Sequence, residues 1–286
     1  MGTASAVGGW YVIGGGICNV LSDHVKGLTL TPQVTGGSVE NVRLLANDEN
    51  ELIMIGANTL NLAMEGKEPF TQKYEDMYGL FTFGGTVLHV VVRKDSGITS
   101  LDQLVDKKVA IGPPGSGTES MAQVMFRTLG ITDEVKMMPM AFADMYDALR
   151  DKNIDCFLLE ASPPGPALEE LARTTEIMLL NISEELANSL HETDPSVIPV
   201  VLPGGTYSGV DQDMNITGAA SMVVCRLSMP EDVAYNIVKG VYTYLDEIQA
   251  VHAGAKSITP ETAIDGITIP LHPGAEKYFK EVGLIP

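Results

Sequence analysis

Val109-Ala110-Ile111-Gly112-Pro113-Pro114-Gly115-Ser116-Gly117-Thr118-Glu119 decides the fold class, because it joins a short buried strand to a helix through a glycine-rich turn. Val109 to Ile111 are small or apolar, and the glycines from Gly112 to Gly117 let the backbone turn sharply and approach another group closely. Ser116 and Glu119 have capping-box spacing, and Met121, Val124, Met125 and Leu129 form one apolar stripe that ends at Gly130. A turn of this kind presents free N–H groups and the positive end of a helix dipole, which suit an anionic oxygen. It is not a nucleotide-phosphate loop, since Thr118 stands where the lysine of that motif belongs. Nor is it a nucleophile elbow, since Pro114 and Thr118 replace the glycines that flank such a serine. A well-capped structural turn with no ligand uses the same atoms.

The pattern of strand, glycine turn and helix recurs elsewhere in the chain. Leu28–Val34 reads as a strand leading through Thr35-Gly36-Gly37 to Ser38 as helix cap, and Leu52–Ile55 as a buried strand leading through Gly56 to Asn58. Trp10–Val25 reads as a helix with Val12, Ile13, Ile17, Val20 and Leu21 on its apolar face, behind the loop Gly2–Gly9. A strand is expected before that loop, absent or reduced to Met1. Val87–Val92 is the most β-branched run and marks the first crossing between domains; the second is expected in Pro203–Gly209, where turn formers dominate. The expectation is an α/β fold of two lobes, each a mostly parallel sheet flanked by helices, with residues 1–87 and 210–286 in lobe I and 88–209 in lobe II.

Composition narrows the function. The 286 residues are 45% hydrophobic, ample for full cores, and 18 Lys and Arg against 37 Asp and Glu give a net charge of -19. That field repels nucleic acid and anionic membrane surfaces, so a bound anion is held by local dipoles. No run of about 18 apolar residues suggests a membrane span. Cys18, Cys156 and Cys225 lack C-x-x-C spacing and read as buried free thiols, and His24, His89, His191, His252 and His272 show no ligand spacing, so neither metal nor cofactor is expected.

Gly2-Thr3-Ala4 with Gly8-Gly9-Trp10-Tyr11, Thr35 to Leu45, Gly112 to Glu119, Gly205-Thr206-Tyr207 and Ile269 to Ala275 together resemble the TAXI family of solute receptors for TRAP transporters, over the whole chain. The resemblance implies a type II periplasmic-binding-protein-like fold whose lobes close over a small organic solute in an interlobe cleft. It also implies a secretion signal removed from an extracytoplasmic protein, and a TRAP membrane permease as partner. A carboxylate is favoured as ligand, glutamate-like or a 2-oxo dicarboxylate. The protein is expected to be a monomeric, non-catalytic receptor; a stand-alone sensing module is the alternative, and an enzyme acting on a small anion a remoter one.

The candidate ligand contacts are Gly37, Ser38, Gly115, Ser116, Gly117 and Thr118 in the turns, with the Ser5 hydroxyl from the first loop. Tyr11 offers an aromatic wall or a core residue, Asn58 an amide or an Asx turn, and Glu160 an acceptor for an amino group. Tyr207 is either a residue closing over the ligand or a surface turn. Arg93 is a candidate carboxylate fork, but beside Lys94 and Asp95 it reads in preference as a solvated surface position.

Overall fold

The computed structural model describes residues 1–286, and the chain forms two compact units, Met1–Gly85 with Ala220–Pro286 and Thr86–Ala219. In chain order the helices and strands are α1 (Gly9–His24), α2 (Ser38–Ala46), β1 (Leu52–Gly56), α3 (Ala57–Glu65), β2 (Tyr78–Arg93), β3 (Lys108–Ala110), α4 (Gly117–Leu129), β4 (Lys136–Met138), α5 (Phe142–Arg150), β5 (Cys156–Ala161), α6 (Pro166–Thr174), β6 (Ile177–Leu179), α7 (Glu184–Thr193), β7 (Ile198–Leu202), β8 (Met214–Cys225), α8 (Glu231–Thr243), α9 (Leu245–Ala250) and α10 (Pro273–Glu281). The unit boundaries fall inside β2 and β8.

In the first unit β1 is buried on both faces, which is why it reads as an unbroken apolar run. Leu52 and Met54 pack with Ile13, Ile17 and Leu21 of α1 and with α8, whereas Ile53 and Ile55 pack with Val39 and Val42 of α2 and Leu60 of α3. The alternation is the two-residue period of a strand between two helical layers. The expected apolar face of α1 is narrower than its sequence suggests, since Val12 is exposed and Val20 half-buried. The strand expected over Leu28–Val34 is reduced to a bridge in which Gly2 pairs in parallel with Gln33 on one side and Ile53 on the other. Its backbone is partly diverted, with the Leu30 N–H donating 2.9 Å to Ser22 Oγ.

In the second unit β3 lies parallel to both β4 and β5, and β2 runs antiparallel between β5 and β6. Leu88, Val90 and Val92 face the helices α4 and α7, whereas Val87 and Val91 face the cluster that holds Leu149, Phe157 and Leu168. The helix-flanked α/β sheets match the expected class, with more antiparallel pairing than expected. β1 and β7 pair antiparallel with β8, as β5 and β6 do with β2. β2 and β8 leave one unit for the other, so no crossover helix returns them in parallel to the sheet they left.

Pro203–Gly209 is a hairpin turn between β7 and β8, closed by a 2.7 Å bond from the Gly205 N–H to the Val210 carbonyl. The second crossing therefore lies ten residues beyond the expected position 209/210, at Ala219–Ala220, because Met214 and Ile216 pack into the core of the second unit.

Candidate functional site

In each unit the parallel segments end at one edge, and each passes there into a helix. In the first unit the three segments are Met1–Thr3, the stretch around Gln33, and β1, leading into α1, α2 and α3. Their register is set by bonds from Gly2 N–H to Leu52 O and Met54 N–H to Gly2 O, both 2.9 Å, and from Thr3 N–H to Gln33 O, 3.0 Å. The exits are then tied to one another. Asn41 Nδ2 donates 2.8 Å to both the Thr3 and the Met54 carbonyl, and the Thr35 hydroxyl donates 3.2 Å to the Thr3 carbonyl while accepting from Gly37 N–H.

The α2 turn is built on Gly37, whose φ of 114° and ψ of -153° are open only to glycine. Gly37 is the cap residue, so Ser38 falls one position inside the helix, contrary to its expected role as cap. Its buried hydroxyl accepts instead from Gly56 N–H at 3.2 Å, joining the start of α2 to the start of α3. Gly36 N–H donates 2.6 Å to the Glu40 carboxylate. The N–H groups of Ser38, Val39 and Glu40 meet no acceptor in the chain, as expected of a first helical turn. Asn58 is buried in the first turn of α3, Tyr11 is half-buried in the first turn of α1, and Ser5 is half-buried with its carbonyl accepting from Gly8 N–H.

The α4 turn of the second unit follows β3. Gly112, with φ of 82°, has no room for a Cβ, which would stand 2.8 Å from Ser116 Oγ and 3.1 Å from Thr118 Cβ. Ser116 caps α4, accepting 3.1 Å from Glu119 N–H, and the Glu119 carboxylate accepts 2.7 Å from Gly115 N–H. The capping box thus forms with its return arm one residue earlier than the usual pattern. Gly117 and Thr118 keep N–H groups with no acceptor in the chain. The Thr118 hydroxyl is buried and accepts 3.0 Å from Glu160 N–H at the end of β5, so Glu160 and the turn do lie together.

Two expected placements are overturned. Tyr207 lies in the turn, but its side chain is neither at the surface nor free to close over a ligand: it is 1% exposed, in the core of the second unit with Phe157 and Leu168. Its hydroxyl accepts 3.0 Å from Gly165 N–H and sits 3.0 Å from His89 Nε2. His89 Nδ1 is 3.1 Å from the Leu159 carbonyl, so it carries the proton and leaves Nε2 to accept from Tyr207. Burial pushes the His89 pKa down to about 4, against the opposing pull of its backbone bonds. Arg93 is likewise buried rather than solvated, donating 2.8 Å from Nε to Asp95 and reaching the Arg150 carbonyl. His89 was visible as the one polar residue in the run Val87–Val92, a signal for a satisfied buried group; its partner stands 118 residues away.

His272 caps α10, accepting 3.2 Å from Gly274 N–H. The three cysteines are free and buried, and burial raises the Cys18 thiol to about 11 and Cys225 to about 12. No three His, Cys, Asp or Glu side chains are grouped to hold a metal, and no helix is long and apolar enough to cross a membrane. A cavity of about 830 Å³ in the first unit is lined by Leu30, Gln33, Asn50, Arg226 and Met229. It lies where β1 begins, whereas the glycine turns lie where the parallel segments end, and ligands of parallel sheets gather at their carboxyl ends.

Mixed β-structure flanked by helices, with glycine turns at the carboxyl ends of its parallel segments, is an α/β fold that the chain shares with solved solute-binding proteins. The chain belongs to the NMT1-like family, whose profile matches residues 1–283. Among solved structures it is similar to MatC from Rhodopseudomonas palustris with bound malate, at 13% identity over 99% of this chain and 95% of that one, TM-score 0.60. It is also similar to the alkanesulfonate-binding protein SsuA from Xanthomonas axonopodis pv. citri bound to MOPS, at 13% identity over 98% and 83%, TM-score 0.52. A putative L-cystine ABC transporter protein from Listeria monocytogenes matches at 9% identity over 90% and 94%, TM-score 0.55.

Proposed function

We propose that the protein is a non-catalytic, extracytoplasmic receptor of the TAXI type that binds a small organic anion and delivers it to a TRAP permease. Its two units serve as the lobes, and the α2 turn of the one and the α4 turn of the other are each taken as an anion-binding element. The observation that carries this reading is the pair of first helical turns with unclaimed N–H groups, Ser38 to Glu40 and Gly117 to Thr118. Carboxylate or sulfonate oxygens are suited to such donors, and malate in MatC and MOPS in SsuA are anions of these kinds. With a net charge of -19 and no cation in either turn, the affinity comes from oriented dipoles rather than from bulk attraction.

The test is a thermal-shift screen against carboxylates, amino acids, sulfonates and neutral sugars. Binding to the folded state raises the melting temperature by mass action, by about 2.7 kcal/mol of added stability at a hundredfold excess over Kd. A carboxylate or sulfonate is expected to give the largest shift. A neutral sugar as the sole stabiliser overturns the anion reading, and partner pull-down with a TRAP permease decides the transport assignment.

A further inference from the structure

Residues 160–165, from the end of β5 to the cap of α6, are held at both ends by hydroxyl groups from other elements. Thr118 of the α4 turn accepts from Glu160 N–H, and Tyr207 of the β7–β8 turn accepts from Gly165 N–H. The second contact is part of a directed chain. The Leu159 carbonyl fixes the proton of His89 on Nδ1, Nε2 then accepts the Tyr207 proton, and the Tyr207 oxygen is left facing the Gly165 amide. Each member has one arrangement that satisfies it, and all three are buried. The chain begins on β5 and ends on the cap of α6, which follows β5, so it fixes the direction in which the chain leaves the sheet.

We propose that His89 and Tyr207 are positioning residues for the solute site: without touching the solute, they hold the β5 exit segment in register with the α4 turn. This rests on the functional reading above for its consequence in binding, but not for the positioning itself. Tyr207 therefore acts through Gly165, from inside the core.

Hydrogen exchange on the full chain without added solute tests the positioning. Tyr207→Phe keeps the ring and removes the hydroxyl, and it is expected to speed exchange of the Gly165 amide at least tenfold while amides of β3 and α4 keep their rates. Unchanged exchange at Gly165, or equal acceleration throughout the second unit, overturns the proposal. Where Tyr207→Phe does not fold, His89→Leu is read in the same way, with a smaller but still local acceleration expected. His89→Gln, whose side-chain carbonyl can accept from Tyr207, is expected to restore slow exchange; failure of both glutamine and leucine variants to differ overturns the directed chain. Calorimetric titration with malate and methanesulfonate then reads the consequence: a probe that binds the native protein is expected to bind Tyr207→Phe about tenfold more weakly, and equal affinity overturns the link to the site. If the native protein binds neither probe, the anion reading fails while the exchange result still decides the positioning.

Discussion

The α2 turn of the first unit and the α4 turn of the second use nearly the same residues in a different order. Gly36-Gly37-Ser38-Val39-Glu40 and Gly115-Ser116-Gly117-Thr118-Glu119 both begin with a glycine whose N–H donates to the glutamate four residues on, at 2.6 and 2.7 Å. Exchanging the middle Gly-Ser for Ser-Gly changes what the serine does. In α4 the hydroxyl caps its own helix, and one more N–H is thereby spent. In α2 glycine takes the cap position, the serine moves one residue inward, and its hydroxyl secures the exit of β1 instead. Three N–H groups stay unclaimed in α2 and two in α4. A cap that stabilises its own helix thus reduces what that helix can offer a ligand.

The largest expected difference between the two regions comes from acid, because the second unit carries a buried neutral histidine behind its turn. The His89 pKa falls from 6.5 in the unfolded chain to about 4 in the folded one. The unfolded state therefore binds the extra proton first. The stability that depends on neutral His89 is complete above pH 6.5, is lost as pH falls from 6.5 towards 4, and declines no further from this source below that. The full difference is on the order of 3 kcal/mol. Exchange measured between pH 7 and 4 is expected to show Gly165 and its neighbours losing protection before the α2 turn does. A His89→Leu variant is expected to flatten the melting-temperature profile in that interval. An equally steep profile in the variant would break this contrast.

Next in size is the backbone. Gly37→Ala has open space for the methyl group, so its cost is purely that of forcing φ of 114° and ψ of -153° on an L residue, about 2–3 kcal/mol. Gly115→Ala also meets open space, but at φ of 80°, near the left-handed well, where the cost is about 1 kcal/mol. Chemical denaturation of the two variants measures the difference, and equal losses would show that the glycines are not placed by backbone conformation.

How much of this was legible in sequence depends on how far apart the interacting residues are. The Ser116 cap and the Gly130 stop of α4 are bonds within about one turn, so the residue types declare them. The identity of the residue that caps α2 was missed by one position, because Gly-Gly-Ser permits a cap at either of two places and only the Ser38–Gly56 bond decides between them. Tyr207 was misplaced for the opposite reason. Its neighbours Gly204, Gly205, Ser208 and Gly209 correctly announce a turn, but its burial follows from His89 and Gly165, which are 118 and 42 residues away. Arg93 sits among charged neighbours and still buries its guanidinium against the Arg150 carbonyl, a contact no local pattern encodes. The Thr118 hydroxyl, taken from sequence as a ligand group, is already accepting from Glu160 N–H, so Thr118→Ala is expected to cost about 1 kcal/mol of stability as well as affinity.

The serines give the third contrast. Ser116→Ala removes the only side-chain cap of α4 and is expected to cost about 1 kcal/mol. Ser38→Ala removes no cap; it strands the buried Gly56 N–H, a loss of about 1–3 kcal/mol for an unsatisfied donor that water does not reach. Glycine separates the two cases, because it restores capping competence at a cap position to within a few tenths of a kcal/mol but gives Gly56 no acceptor. Ser116→Gly is therefore expected to recover most of the alanine loss and Ser38→Gly none of it, with urea midpoints as the measure. Recovery at position 38 would mean that Ser38 works as a cap after all.

The smallest effects on stability fall on Glu40 and Glu119, and these bear most directly on function. Each carboxylate stabilises its helix start by charge on the dipole and by a bond to a glycine N–H, worth about 0.3–1 kcal/mol together at an exposed or half-exposed site. Each also puts a negative charge on the turn proposed to receive an anion. Glutamine keeps the acceptor and removes the charge, so Glu119→Gln and Glu40→Gln are expected to lose a few tenths of a kcal/mol in stability while binding an anionic solute about two- to fivefold more tightly at low salt. The gain should shrink at 0.5 M salt, since screening weakens the repulsion that the substitution relieves. Calorimetric titration at both ionic strengths measures it. If glutamine weakens binding instead, the carboxylate is a ligand contact, the solute carries a cationic or donor group at that turn, and the two turns differ in the sign of what they bind.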